Sequence, residues 1–369
     1  MRTIIFLIQK EFLQVFRNRM MLPIIFGVPV IQLLILAFAA TFDLKNINTI
    51  IVDKDRSPSS RELIGKFKGS TFYTIVDYSP DHNQALQSIA RGTADLIIEI
   101  PQNFERDLVN EKASKIGLTI DAINSSEASL AFAYTSAIVK DYNLSLVAEM
   151  IGQDVKQPIR VNYSYWFNPE LDYKTYMVPG ILVLLVTLIG MFLSAMNVVR
   201  EKEIGTIEQI NVTPVKKYQF IAGKLAPFWI IALFELAFGL VVAKLIFNIP
   251  FVGSVWLIFG VAAVYLLVVL SLGLIISTIS DTMQQAMFVS FFFMIIFILM
   301  SGLFTAVESM PQWAQTVNII NPLAYFIKIM RMIMLKGSEF RDIFDPFRAL
   351  VIYAVVALSV AVWRYRKVA

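Results

Sequence analysis

A carboxylate in the middle of an apolar run is costly, and Glu235 holds that position in WIIALFELAFGLVVAK. A charge at the centre of a membrane-spanning helix costs about 3 kcal/mol on insertion scales, so such residues face a partner or a cavity. The chemistry open to Glu235 is pairing with a cation, carrying a proton, or a hydrogen bond to a neighbouring helix that serves packing alone. A second candidate is REKEIGTIEQINVTP, Arg200 to Pro214, which sets alternating charges directly behind one apolar run and ahead of another. Ile204, Ile207 and Ile210 recur there every three residues, with Glu201, Lys202, Glu203, Glu208 and Gln209 between them, a pattern that predicts a short amphipathic helix. Both charge signs suit a specific partner surface better than anionic lipid, where Lys and Arg alone would dominate. A solvated loop carrying stop-transfer charge is the plainer alternative. Gly205 costs about 1 kcal/mol relative to Ala inside a helix, and close approach of another backbone is a reason to keep it.

The chain carries no residue set that points to catalysis. A G-x-x-x-x-G-K-[ST] phosphate loop is absent, and the nearest text, IGKFKGST at Ile64 to Thr71, has Phe67 where a hydroxyl residue should follow the lysine. H-E-x-x-H and G-x-S-x-G do not occur. There is no cysteine, hence no disulfide, thiolate nucleophile or Cys-ligated metal, and the single His82 stands beside Asp81 in a polar stretch that reads as ordinary surface. No catalytic, cofactor-binding or metal-ligating residue is therefore assigned. If energy is consumed, another subunit supplies it.

The elements that must position Glu235 and the charged loop are membrane helices. The 369 residues are 57% hydrophobic with mean hydropathy +0.66, too apolar for one soluble core. Net charge is only +4 and the bases form no stripe interleaved with aromatics, which argues against a nucleic-acid partner. Six runs reach spanning length: 21–41, 177–198, 220–247, 255–277, 283–304 and 347–362. Residues 1–20 read as an interfacial amphipathic helix, with Ile4, Ile5, Ile8, Phe12, Val15 and Phe16 on its apolar face. Ala37-Phe38-Ala39 matches a small-x-small cleavage pattern, but the apolar run is longer than a signal core and is read as an uncleaved span. Basic residues before the first span, after the second and in the tail 364–369 predict both termini inside. Lys328, Arg331, Lys336 and Arg341, in 305–346, dissent from that count.

Between the first two spans the pattern turns to soluble α/β, predicting an extracytoplasmic domain over 42–173 with about five strands. Strands are expected at Thr49 to Val52, Phe72 to Val76, Asp95 to Ile100, Gly117 to Ala122 and Ile159 to Tyr165. A capping box at Ser59-x-x-Glu62, Pro80 at a first helical position, Asn103 and Ser126 open the helices. The expected fold is a polytopic α-helical membrane protein with six transmembrane helices and this domain inserted.

REKEIGTIEQINVTP closely resembles the E-x-G-T-x-E-x-[LI] loop of ABC-2 type transporter permeases, the membrane subunits of one class of ATP-binding-cassette exporter. MPQWAQTVNIINPLAYFIKIMRMIMLKG, Met310 to Gly337, is similar to that family's P-x-W/L…N-P-L-x-Y…R-x-x-x-L-x-G segment. The order of parts agrees over essentially the whole chain, and the large domain resembles the branch associated with export of drugs and other hydrophobic molecules. The resemblance implies that Glu201, Lys202, Glu203, Gly205, Thr206, Glu208 and Gln209, within the loop 199–219, form a coupling helix seated on a separate ATPase. It implies that Pro311, Asn321, Pro322, Tyr325 and Arg331 lie in an extracytoplasmic hairpin with short helices over 305–346, before a last span at 347–363. It further implies a second permease subunit, identical or related, ATP and Mg bound only on the partner ATPase, and a bacterial inner-membrane location with lipid around the helices. A periplasmic adaptor docking on the outer domain is a further partner it allows. Two rivals remain on sequence: a proton-coupled secondary transporter using Glu235, and a membrane receptor or assembly factor acting through its outer domain.

Overall fold

A computed structural model describes residues 2–17, 23–39, 46–111, 113–151, 166–169, 172–206 and 215–364. The chain divides into two compact units, Met1–Thr41 with Ser164–Ala369, and Phe42–Tyr163.

The first unit is helical. Helix α1, Arg2–Arg17, is followed by a π-helical turn at Pro23–Gly27 that runs into α2, Val28–Ala39. The soluble unit contributes α3 to α6, and the helical unit resumes with α7, Tyr173–Ile204, α8, Lys217–Phe247, α9, Val255–Ile279, and α10, Met283–Met300. Short α11, Gln312–Asn318, meets α12, Pro322–Lys336, at a bend of 86°, and α13, Phe344–Arg364, closes the series. Among the described residues five of these, α7 to α10 and α13, are long and apolar enough to cross a membrane, and the bent pair would make a sixth. The first run is represented by a shorter apolar helix, Val28–Phe38.

Helix α7 lies at the centre because it is apolar all round. Met177 to Thr187 are buried without a break, which no helix with a solvent or lipid stripe achieves. It packs against α9 through small residues. A Cβ on Gly190 would stand 3.2 Å from Val269 and one on Gly273 2.6 Å from the Met191 carbonyl, while Ser194 Oγ donates to the Leu270 carbonyl at 2.8 Å. Tyr265 of α9 shares a buried hydrogen bond with Thr187 at 2.5 Å and stacks on Phe326 of α12, tying three helices together. Helix α12 is thus part of the packed interior: nine of its fifteen residues are buried, so the expected peripheral hairpin with short helices is realised as α11, a sharp bend, and a core helix. By contrast Phe291, Phe292, Ile295 and Leu299 of α10 are exposed on the unit's outer surface.

Helix α1 buries a different stripe from the expected one. Glu11 and Val15 are its fully buried residues and Leu7 faces α8, whereas Ile5 and Phe16 are exposed. The helix has apolar residues on two sides, and the side carrying Leu7, Glu11 and Val15 (i, i+4, i+8) is the one that packs.

The second unit holds a four-stranded sheet ordered β2-β1-β3-β4, with β1, Ile47–Asp53, parallel to β2, Tyr73–Tyr78, and β3, Leu96–Ile100, and β4, Gly117–Ile120, antiparallel to β3. Helices α3, Pro58–Lys68, α4, His82–Ala90, α5, Phe104–Asn110, and α6, Ser125–Ile151, alternate with or follow the strands. Both sheet faces are covered. Ile47, Ile51, Leu96 and Ile98 pack with Phe67 and Tyr142, while Ile50, Val52 and Ile97 pack with Ala85 of α4, which explains the unbroken apolar strand runs. The expected fifth strand at Ile159 to Tyr165 lies outside the described residues. Two helix starts differ from expectation. Ser57, not Ser59, caps α3, its side chain accepting from the Ser60 N–H at 3.1 Å with Pro58 in the first turn, and the Ser59 hydroxyl donates to Glu105 instead. Pro80 stands ahead of α4, whose cap position is Asp81. His82 Nδ1 lies 2.9 Å from Glu99, whose other oxygen accepts from Lys54. No group of three metal-ligating side chains occurs among the described residues.

Candidate functional site

The charged text after α7 begins inside the helix. Glu201, Lys202 and Glu203 are its last turn, and Gly205 ends it in the left-handed region at φ 79°, where a side chain would be strained. The expected separate amphipathic helix therefore does not start at Glu201, and Gly205 serves as a C-terminal cap with no atom near its missing Cβ. Thr206 follows, its hydroxyl 3.4 Å from the Glu201 carbonyl. Glu208, Gln209, Ile207 and Ile210 lie outside the described residues.

Three consecutive side chains of that last turn bind three different places. Glu201 is buried, and its Oε1 accepts from Lys10 of α1 at 2.5 Å and from Lys224 of α8 at 2.7 Å. Lys202 donates to the carbonyls of Ser277 and Ser280, at 2.6 and 3.0 Å, where α9 ends and its carbonyls lack partners. Glu203 accepts from the Met283 N–H at 2.8 Å, at the start of α10, where an anion meets the free N–H groups.

The sequence reading missed the hub of this arrangement. Lys224, 2% exposed, donates to Glu11 at 2.6 Å and Asn197 at 2.8 Å as well as pairing with Glu201, so all three ammonium protons are used. Asn197 in turn donates to the other Glu11 oxygen at 3.0 Å. Two lysines and two glutamates thus neutralise each other between α1, α7 and α8. Burial works against the charge on Lys10, but the carboxylates of Glu201 and Glu11 outweigh it and hold its ammonium above the usual lysine value. Close packing makes the cluster possible: a Cβ on Gly223, beside Lys224, would lie 2.6 Å from Leu7 Cβ. The signal in the sequence was Glu11 on the Leu7, Val15 stripe of α1, where a charge needs a partner.

The second family segment also resolves into contacts. Asn321 caps α12 by accepting from the Leu323 N–H at 3.1 Å, and its amide donates to the Phe297 carbonyl of α10 at 2.8 Å, with Pro322 in the first turn. Tyr325 donates to the Ile319 carbonyl across the bend at 3.1 Å. Arg331 reaches the Tyr176 carbonyl, the Tyr176 hydroxyl and the Gly302 carbonyl, its guanidinium 3.6 Å from the Tyr176 ring centroid. Gly180 leaves room for it, since a Cβ there would stand 3.6 Å from Arg331 Nη2 and 2.5 Å from Leu303. Pro311 precedes α11 at its cap position.

These two segments and the helix order match a known family throughout. The family model described as ABC-2 family transporter protein matches residues 19–363. The chain belongs to the ABC-2 family of transporters. Its relatives include the "Probable multidrug ABC transporter permease YbhR" of Escherichia coli, 31% identical over 98% of this chain and 97% of the relative. The "Probable multidrug ABC transporter permease YbhS" of the same organism is 25% identical over 89% of this chain and 87% of its own. The "Inner membrane transport permease YhhJ" is 26% identical over 86% and 84%. The ABC-2 chain described here is accordingly a multi-pass membrane permease subunit.

Glu235 stands apart from both contact systems of this ABC-2 permease. It is 5% exposed in α8, and neither carboxylate oxygen has a hydrogen-bond partner among the described residues. It opens on a narrow crevice between α2, α7 and α8, walled by Pro29, Leu33, Leu182, Leu185, Phe238 and Gly239. Along α8, Lys224 is about 16 Å to one side and Lys244 about 14 Å to the other. The structure thus brings the coupling-loop and α12 residues into bonded systems and leaves Glu235 alone with apolar walls.

Proposed function

We propose that this chain is the permease subunit of an ABC-2 exporter, moving a hydrophobic or amphipathic substrate out of the cytoplasm or inner leaflet while a separate nucleotide-binding subunit hydrolyses ATP. The observation that carries the reading is the last turn of α7. Glu201, Lys202 and Glu203 tie α1, α8, the end of α9 and the start of α10 to the residue just before Gly205. A force applied to the segment beyond Gly205 is therefore delivered to four helices at once. Residues 201–209 are the coupling element in this reading, with Glu208 and Gln209 facing the ATPase and Glu201 to Glu203 facing the helices.

In this proposal six spans carry both termini inside, the bent α11 and α12 pair and the 42–173 domain lie on the extracytoplasmic side, and two permease chains enclose the pathway in a bacterial inner membrane. ATP and Mg sit on the partner, and the outer domain is the docking surface for an adaptor. The unpartnered Glu235 favours one second reading, a proton-coupled secondary transporter. The test is purification in mild detergent from the native membrane, followed by mass spectrometry. Stoichiometric recovery of an ATPase, lost in a Glu208→Lys, Gln209→Lys variant that still folds, is expected. A well-folded wild type that brings no ATPase would overturn the exporter reading in favour of the proton-driven one.

A further inference from the structure

We propose that the crevice at Glu235 is a binding site for the charged head of a hydrophobic monocation, an amine or quaternary ammonium carried on an apolar chain, reached between α2 and α8. The inference rests on the reading of the chain as a permease for hydrophobic molecules and adds the charge class and the place. Four observations carry it. Glu235 is nineteen-twentieths buried with both oxygens unpartnered among the described residues. A carboxyl placed so is retained at a cost unless something pairs with it.

The walls supply the rest of the ligand's description. Apart from Glu235, the residues around the crevice carry no polar side chain: α2 contributes Ile25, Pro29 and Leu33, and the others are aliphatic or Phe238. One convergent polar group in an apolar cleft fixes orientation, and it selects a ligand with one charge of opposite sign and little other polarity. An anion would meet repulsion, and a dication would leave a charge without a partner. Phe238, a wall residue 42% exposed, offers an aromatic face of the kind that attracts ammonium groups.

Access and depth agree with that ligand. Val28, Ile31 and Ile35 of α2 and Phe234 and Val241 of α8 are exposed apolar residues beside the crevice helices, so its approaches suit an acyl-like chain. Glu235 lies about midway between Lys224 and Lys244 along α8, a separation of about 30 Å that equals the hydrocarbon thickness of a bilayer. The first wall begins in the π-helical turn Pro23–Gly27, a local departure from α-geometry of a type frequent where helices form sites.

The experiment is equilibrium binding to the purified full chain in phosphatidylcholine nanodiscs, with radiolabelled dodecyltrimethylammonium as probe and dodecanol as neutral competitor. Wild type is expected to show saturable binding above empty nanodiscs, with affinity rising as the alkyl chain lengthens. Glu235→Gln, close in shape, is expected to weaken binding by at least about tenfold, and Glu235→Asp by less. Dodecanol is expected to displace the probe poorly from wild type. Unchanged cation affinity in Glu235→Gln, or no saturable binding to wild type, overturns the proposal. Neither ATP nor an ATPase is present, so failure here leaves the coupled exporter standing, and failure to copurify an ATPase leaves this site standing.

Discussion

Two buried carboxylate systems sit about 16 Å apart along α8, and they differ in a single respect. Glu11 and Glu201 are surrounded by donors from Lys10, Lys224 and Asn197, whereas Glu235 has none among the described residues. Burial alone therefore does not separate a structural charge from one held ready for a ligand. The partner count does, because an ion pair with filled hydrogen bonds offsets its own desolvation and a lone carboxyl does not. The paired system joins three helices, and the unpaired one faces a crevice.

The largest effect should come from breaking the paired system on one side. Lys224→Met leaves Glu11 and Glu201 buried with only Lys10 and Asn197 to answer them, and a loss of about 3–5 kcal/mol is expected. It would show as aggregation or a sharply lowered melting temperature in detergent. Removing the charges together, as Glu11→Gln, Glu201→Gln, Lys224→Met, should restore much of that stability. If the single variant melted like wild type, the cluster would not be what holds α1 in place.

Next in size is steric damage to the same contact. Gly223→Val places atoms where Leu7 Cβ stands, and overpacking of this kind costs about 1–3 kcal/mol. Since the chain has no cysteine, Gln9→Cys gives a unique label on α1, and its spin or fluorescence mobility should rise in the Gly223→Val background. A label equally immobile in both would place the α1 anchor elsewhere. Lys202→Ala removes two bonds to the carboxyl end of α9 and should cost about 1 kcal/mol, seen as faster amide exchange at 277–280 with the rest of α9 unchanged.

The sequence shows these two systems unequally, for physical reasons. Glu235 interrupts an apolar run near its centre, so its oddity is local and visible without any contact map. Lys224 stands near the start of its run, where a lysine ordinarily marks the membrane boundary, and Glu11 shares an amphipathic helix with polar neighbours. Their meeting needs three segments, 186 to 213 residues apart in pairs, and no periodicity carries that information. The long helices were legible because each is a continuous apolar stretch, and the strands because both sheet faces are covered. The role of α12 was not. Its basic residues Lys328, Arg331 and Lys336 suggest a surface segment, yet Arg331 is absorbed by two carbonyls and the Tyr176 ring, which lets the helix enter the core. Similarly the charges at 201–203 look partner-directed in sequence, and all three are engaged inside the unit.

The smallest effect on stability is expected at Glu235, and that smallness is what sharpens the comparison. A carboxyl kept for packing would have a donor to lose, so Glu235→Leu would lower the melting temperature much as breaking the cluster does. A carboxyl without partners contributes its desolvation cost and little else, so its replacement by an apolar side chain of similar volume should leave the melting temperature unchanged or raise it. The same substitution should abolish cation binding in the crevice, since it removes the one polar group on those walls. Stability kept and binding lost separates the two systems in one variant, using thermal unfolding and probe binding on the same preparation. A marked loss of stability in Glu235→Leu would mean that the carboxyl has a structural partner after all, and the distinction between paired and unpaired buried charge would no longer divide the molecule.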